Sequence, residues 1–373
     1  MRCAVSRWVA RACDGRCLPD LDRARVIIPG IVTSLAQSDL DSAAHATRVL
    51  TGYRPTGPLH LGHWAGNVEN MLALQADPAR ECFFFIADWH MLTTHYDRTD
   101  ELPGFVEGLV LDWLAAGIDP ERSVVYRQSD LPEVAEMALL LGMITPLGWL
   151  ERVPSFKERL RDMDERDIAN LGLLGYPVLQ TVDITIVGGE LVPVGEDQVA
   201  HLELSREIVR RFNRLYGDVL VEPQPLLSAT PLVPGSDGRK MSKSFDNAIG
   251  VRDDEDTIRA KVRSFVTDPQ KVRRGDPGRP EICPIFALHE RFSPDDVDRV
   301  EATCRTGELG CVDCKTLLAD HLVSAFAPFR ERRAELAARP GLVADVLAAG
   351  AERARPVARA TLEAVRRAMH FDG

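Results

Sequence analysis

The sequence predicts an α/β protein, a Rossmann-like doubly wound parallel sheet followed by an α-helical region. Three observations predict it. From about residue 46, short apolar strands alternate with amphipathic helices. One strand, Cys82-Phe-Phe-Phe-Ile-Ala87, is apolar on both alternations, as a parallel strand covered on both faces must be. Beyond about residue 250 the strand-like runs stop and helical ones continue.

In chain order, Arg48-Val-Leu-Thr-Gly52 reads as the first strand, ending in the turn Tyr53-Arg-Pro-Thr-Gly57. Leu61, Ala65, Val68 and Leu72 then recur at helical spacing. The strand 82–87 ends at Asp88; a helix over Glu101 to Ala116 and a strand over Ser123 to Tyr126 follow. Leu191-Val-Pro-Val194 is a further strand, followed by Gly195-Glu-Asp-Gln198 and a long helix to Tyr216. Such alternation implies right-handed crossovers, with ligands binding beyond the carboxyl ends of the strands. Helices are expected over 254–265, 294–303, 314–327 and 356–370, the last with Pro356 at its first position. The resulting division is an N-terminal extension over 1–45, a catalytic domain over 46–248, a helical domain over 249–355 and a C-terminal helix over 356–373.

The chain has 373 residues, of which 45% are hydrophobic and 27% charged, which excludes a disordered or fibrous protein. Its net charge of −11 means that RNA binding must rest on a local basic patch; Lys271, Arg273, Arg274 and Arg279 form such a run. The longest apolar candidate for a membrane span, Ala135 to Leu150, is interrupted by Glu136, Gly142, Pro146 and Gly148. Eight cysteines are too few for a disulfide-built scaffold of this length. Residues 1–20 carry Arg2, Arg7, Arg11 and Arg16 without the apolar stretch of a secretory signal, so a disordered extension and a cytoplasmic location are expected.

No Walker-type or dinucleotide-binding glycine loop is present. Instead the first strand–helix junction reads Pro55-Thr-Gly-Pro-Leu-His60-Leu-Gly62-His63. Gly62 lets a flat ring approach the backbone, and His60 and His63 lie three apart at a helix start, where amide groups and the helix dipole favour phosphate. Far along the chain, Gly238-Arg-Lys240-Met241-Ser242-Lys243-Ser244 lies in a Gly/Ser/Pro-rich stretch whose two lysines suit a departing pyrophosphate. Asp88-Trp-His90 closes the second strand and His95 follows, but no third ligand accompanies the two histidines; a structural or substrate-lining loop is expected there.

H-x-G-H and K-M-S-K-S in this order on a Rossmann-like pattern resemble the class I aminoacyl-tRNA synthetases. Tyr176-Pro-Val-Leu-Gln-Thr-Val-Asp183, Leu191-Val-Pro-Val-Gly-Glu-Asp-Gln198 and His201-Leu-Glu-Leu-Ser-Arg206 narrow this to a resemblance to the bacterial tryptophanyl enzymes, over roughly residues 46 to 370. The resemblance implies activation of L-tryptophan by ATP with Mg2+, transfer to tRNA(Trp), and a homodimer without membrane association. It implies that Asp183 reads the indole N–H, a donor that an acceptor-only carboxylate complements. Tyr176 and Gln180, seven and three residues earlier, share its helix face, and Gln198 approaches the amino or carboxylate group. It further implies that Arg54, Pro55, Thr56, Gly62 and His63 line the phosphates, that Gly195, Glu196 and Asp197 bound the ribose, and that Leu232 offers backbone to adenine. The bacterial tryptophanyl enzymes often carry asparagine where His63 stands. A Tyr…Gln…Asp trio also suits a phenol, which leaves tyrosine as the alternative substrate; a synthetase-like RNA-binding protein that charges no tRNA is the other alternative.

Cys283, Cys304, Cys311 and Cys314 follow the spacing C-x20-C-x6-C-x2-C, which suits one metal centre in a reducing compartment. Zinc and a [4Fe-4S] cluster both remain open on spacing. The resemblance favours the cluster, which a subset of the bacterial tryptophanyl enzymes carries after a Pro-Glu-x-Cys like Pro280-Glu-Ile-Cys283.

Overall fold

A parallel sheet of five strands organises the computed structural model, which describes residues 46–153, 156–157, 170–195, 198–227 and 233–371. The extension over 1–45 lies outside the described residues, as do Glu196, Asp197 and Leu232. The strands are β1 (Thr47–Tyr53), β2 (Arg80–Ile86), β3 (Val124–Arg127), β4 (Leu191–Val194) and β5 (Gln224–Leu227). Their order is β3-β2-β1-β4-β5 and every pairing is parallel. This is the doubly wound order, with its switch point between β1 and β4.

The patterning of β2 explains why both faces are covered. Cys82, Phe84 and Ile86 enter one hydrophobic core, while Phe83 and Phe85 enter the other. Val49 and Leu50 on β1 divide the same way. β5 was not expected from the sequence: it is an edge strand of four residues containing Pro225, which an edge tolerates because one rim needs no N–H donors.

The first helical segment is not one uniform helix. α1 (Leu61–His63) passes into a π-helical stretch, Trp64–Val68, and then into α2 (Glu69–Ala76). Leu61, Ala65 and Val68 are buried as their spacing requires. Further along come α3 (Asp88–His95), α4 (Leu102–Ala116), α5 (Glu133–Ile144), α6 (Leu147–Leu150), α7 (Leu171–Ile186) and α8 (Val199–Tyr216).

The C-terminal region is helical, as expected, with shifted boundaries. It contains α9 (Glu255–Ser264), α10 (Pro284–Phe292), α11 (Val297–Thr306), α12 (Cys311–Ala337) and α13 (Leu342–Ala368). Pro356 lies inside α13 rather than at its start, so the expected boundary at 356 is incorrect. Pro356 is exposed, which lets the carbonyl that it leaves without a helical donor face water. The helical region also has no core of its own. Ile258, Leu318, Phe326 and Leu347 share one core with Val49 and Phe84, and Ala358, Leu362 and Val365 of α13 join the core on the opposite face. At Gly350 a Cβ would come within 1.7 Å of the Val125 carbonyl oxygen, so α13 lies directly against the backbone of β3. The described residues fall within one compact unit, His45–Gly373.

Candidate active site

The β1–β4 ladder is a single pair, Val49↔Leu191, whereas β1 pairs with β2 over its whole length. Beyond that pair the two strands part, and Pro193 brings no N–H to close the gap. The crevice that opens is where doubly wound sheets bind ligands. Thr51 and Gly52 of β1, Val192 to Val194 of β4 and the following Gly195 line it.

One end of the crevice is built around Asp183 on α7. The helix opens at Asn170, whose side chain accepts from the Leu173 N–H, and its spacing turns Tyr176, Gln180 and Asp183 into the same cleft. Asp183 is only 3% exposed. Its Oδ2 accepts from His90 Nε2 at 2.8 Å, and the Gln128 amide nitrogen donates to both oxygens at 2.7 and 2.9 Å. Burial pushes the Asp183 carboxyl above the usual carboxylate range, and the bonds from His90 and Gln128 oppose that rise. The Tyr176 hydroxyl lies 2.6 Å from His201 Nε2, which fixes the ring at the cleft wall.

The other end is lined by Arg54, Lys243 and Ser244, with His60 and His63 close to the lysine but outside the lining. His60 is the N-cap of α1: its Nδ1 accepts from the His63 N–H, and His63 Nδ1 accepts from the His60 N–H, each at 3.3 Å. With both Nδ1 atoms occupied as acceptors, the ring proton of each neutral imidazole sits on Nε2. The rings stack with centroids 3.5 Å apart. Burial, with Lys243 and Lys240 nearby, holds His60 down to about 4; burial, His60 and the same lysines hold His63 down to about 2. Both are therefore neutral N–H donors at physiological pH. The His60 ring would lie 3.0 Å from a Cβ at Gly62, so any larger residue would push against it. Lys243 Nζ donates to the Gly57 carbonyl at 2.9 Å. Its pKa falls to about 8 through burial and the nearby Arg252 guanidinium.

The sequence-predicted residues separate into two groups. Arg54, Thr56, Tyr176, Gln180, Asp183, Gly195, Gln198, Lys243 and Ser244 line one cleft. His60, Gly62, His63, Pro55, Lys240, Met241 and Ser242 do not line it. Met241 and Pro55 are buried, with Met241 in the core that also holds Leu59 and Leu61. Met241 thus anchors the lysine-bearing loop, and Lys240 remains exposed. His90 enters the site as a partner of Asp183, and Gln128 was not anticipated at all. The Asp88-Trp-His90 run at the end of β2 is the signal for the first; a lone glutamine after β3 carries none. The π-helical stretch adds Asn67 to the cleft wall, a register that helical spacing alone does not predict.

Residues 42–327 match the family model for class I tRNA synthetases of the tryptophan and tyrosine group. The chain is 48% identical to a tryptophan–tRNA ligase of Thermotoga maritima over 87% of its own length and 99% of that protein. It is 43% identical to the Aquifex aeolicus tryptophan–tRNA ligase over 87% of its length and all of that protein. A crystal structure of Campylobacter jejuni tryptophanyl-tRNA synthetase, complexed with ADP and tryptophan, superposes with a TM-score of 0.79 at 32% identity, covering 87% of this chain and all of that one. The chain belongs to the class I tRNA synthetases, in the tryptophanyl branch.

The four late cysteines of this synthetase line one small cavity of about 20 Å³, together with Lys271, Arg279 and Asp268. Each thiol raises the energy of its neighbours' thiolates; burial and these neighbours push Cys314 up to about 12 and raise Cys304. Among the described residues no three His, Cys, Asp or Glu side chains converge as they would around one metal ion. The basic run divides. Lys271 is 8% exposed and donates to the carbonyls of Asp276 and Cys304, while Arg279 is bidentate to Asp268. These two charges serve the fold, which leaves Arg273 and Arg274 on the surface beside Val272.

Proposed function

We propose that, in this tryptophan–tRNA ligase, the amino-acid reader is Asp183 and the phosphate handlers are His60, His63, Lys240 and Lys243. The observation that carries the reading is the placement of a buried acceptor and a cationic loop on one crevice. An indole ring enters the apolar end and gives its N–H to Asp183, with Tyr176, Gln180 and Gln198 around the amino acid. The substrate carboxylate then attacks the α-phosphorus of ATP in line. A new P–O bond forms as the bond to the pyrophosphate oxygen breaks. The neutral Nε2–H groups of His60 and His63 donate to phosphate oxygens, and Lys240 and Lys243 stabilise the pyrophosphate that leaves with Mg2+. The adenylate next gives its tryptophanyl group to a terminal ribose hydroxyl of tRNA(Trp). Arg54, Pro55, Thr56, Gly62, Met241, Ser242 and Ser244 belong to the phosphate side of this reading, Gly195, Glu196 and Asp197 to the ribose, and Leu232 to the adenine.

Exchange of labelled pyrophosphate into ATP, run with each amino acid separately, tests it. Stimulation by tryptophan alone is expected. Stimulation by tyrosine alone would move the assignment to the tyrosine enzymes, and none at all would point to a non-charging relative.

Four thiols around one cavity are the support for a metal centre held by Cys283, Cys304, Cys311 and Cys314; a [4Fe-4S] cluster is the reading proposed, with zinc as the alternative. A bound cluster would give those thiolates a cationic partner and brace α10, α11 and α12 against the loop carrying Arg273 and Arg274, which faces the tRNA. Anaerobic purification should yield a brown protein with iron and sulfide; zinc without iron would refute the cluster. Leu139 and Met143, exposed on one face of α5, and the exposed Leu147 support a homodimer, which a monomer in sedimentation would overturn. A cytoplasmic location, where ATP and tRNA are both at hand, completes the proposal. Among the described residues no helix is long and apolar enough to cross a membrane.

A further inference from the structure

Gln128 stands behind the amino-acid end of the cleft, on a 3-10 turn, Gln128–Asp130, that follows β3. It is fully buried and does not line the cleft. Its amide orientation is fixed from both sides. Oε1 accepts from the Trp89 N–H at 3.1 Å, and Nε2 straddles the two Asp183 oxygens. Turning the amide over would set an oxygen against a carboxylate and an NH2 group against an N–H, so only one orientation satisfies both neighbours. Asp88 supports the turn from the other side: it accepts from the Ser129 N–H, the Ser129 hydroxyl and the Trp89 N–H. The ends of β2 and β3 are thus tied to α7 through one side chain.

The position matters for what Asp183 does. A carboxylate accepts only, and rejects a ring that lacks an N–H because its own lone pair is then unmatched. A protonated acid donates as well, and tolerates an oxygen or sulfur ring. An amide that donates to both oxygens favours the first state and sets the plane of the carboxylate. His90 also bonds Asp183, but it lines the cleft and lies within reach of a ligand, so it does two things at once. Gln128 acts only through Asp183.

We infer that Gln128 is a positioning residue for amino-acid specificity: it holds Asp183 as an oriented acceptor for the ring N–H without touching the substrate. This rests on the reading of Asp183 as the indole reader.

The test compares tryptophan with 3-(benzothiophen-3-yl)alanine, its sulfur isostere without the N–H, in ATP–pyrophosphate exchange by the full-length enzyme. Gln128→Met keeps the length of the side chain and removes both donors. It should lower the tryptophan-to-isostere ratio of kcat/KM by about 10-fold to 100-fold, the worth of hydrogen bonds to a charged group. The KM for ATP should not move. An equal loss for both amino acids, or an unchanged ratio, overturns the inference. Should Gln128→Met fail to fold, Gln128→Glu gives the same information. It sets a second carboxyl against Asp183, with His90, Asp88 and the Tyr126 hydroxyl as the other titratable groups facing that carboxylate. The two carboxyls then share one proton, so Asp183 stays partly protonated to a higher pH than in the wild type, and the rise of the ratio with pH should shift to the alkaline side; a ratio that matches wild type at every pH overturns the inference. Asp183→Asn separates the two levels. If Asp183→Asn keeps the wild-type ratio, the reading of Asp183 fails; if it loses the ratio while the Gln128 variants keep it, only the role of Gln128 fails.

Discussion

The two ends of the crevice are built on opposite plans. At the amino-acid end Asp183, His90, Gln128 and Asp88 are buried and, with the half-buried Ser129, form one bonded set before any substrate arrives. At the phosphate end Lys240 is exposed, Lys243 rests on a backbone carbonyl, and the neutral His60 and His63 lie near the lysines but outside the cleft lining. On the proposed reading, the difference follows from what each end recognises. Telling an N–H from its absence needs an acceptor whose orientation is fixed in advance, since a loose partner would accommodate the wrong ring. Charge that develops on a leaving group is met by cations on a loop, which stay hydrated until they are needed.

The largest effect is expected where the phosphate end is fastened to the helical region. Asp112 on α4 is fully buried and receives Arg252, from the segment after the lysine loop, and Arg333 of α12. Asp112→Ala strands two guanidinium groups and should cost about 3–5 kcal/mol of stability by urea unfolding. A loss under about 1 kcal/mol would show that water replaces the carboxylate there.

Lys243→Ala addresses the phosphate end alone. Removing one charge donor from a transition state costs about 2.7–4 kcal/mol, so kcat for pyrophosphate exchange should drop about 100-fold to 1,000-fold. The KM for tryptophan should stay within about twofold, because the amino-acid end does not contain Lys243. A matching rise in that KM would mean that the two ends are not separable.

How far these plans could be read in advance depends on how local each one is. H-x-G-H and K-M-S-K-S are short runs whose residues stay adjacent in the fold, so the phosphate end was legible as motifs. Asp183, Tyr176 and Gln180 were legible because they share a helix face. Gln128 was not: its partners are 39 and 55 residues away in sequence; the parallel pairing of β2 with β3 brings Trp89 beside it, and the packing of α7 brings Asp183. The merging of the helical region with the sheet's core was hidden for the same reason. Helical periodicity shows that α9 and α12 have an apolar face, but not that the face meets Val49 and Phe84 rather than other helices. Lys271 and Arg279 looked like surface charge because sequence records a cation without its partners.

The smallest effect, and the one that separates the two ends most cleanly, is the dependence on pH. Asp183 has to be ionised to accept an N–H, and burial raises its pKa above the ordinary carboxylate value. As pH falls through that raised value the acceptor is protonated, so the KM for tryptophan should climb on the acid side while the KM for ATP holds. Lys243 has the opposite sign. Its pKa is lowered to about 8, so it is charged below that pH and loses its charge above it. The rate of pyrophosphate exchange at saturating tryptophan should therefore decline from about pH 8 upward. Lys243→Arg supplies a guanidinium that stays protonated across this range and should push the alkaline decline beyond about pH 10, whatever its effect on the rate itself. An alkaline limb that stays near pH 8 in Lys243→Arg would assign it to another group and remove Lys243 as the cation that titrates. An acid limb that appears in the KM for ATP as strongly as in the KM for tryptophan would likewise show that the carboxylate end and the phosphate end titrate as one site.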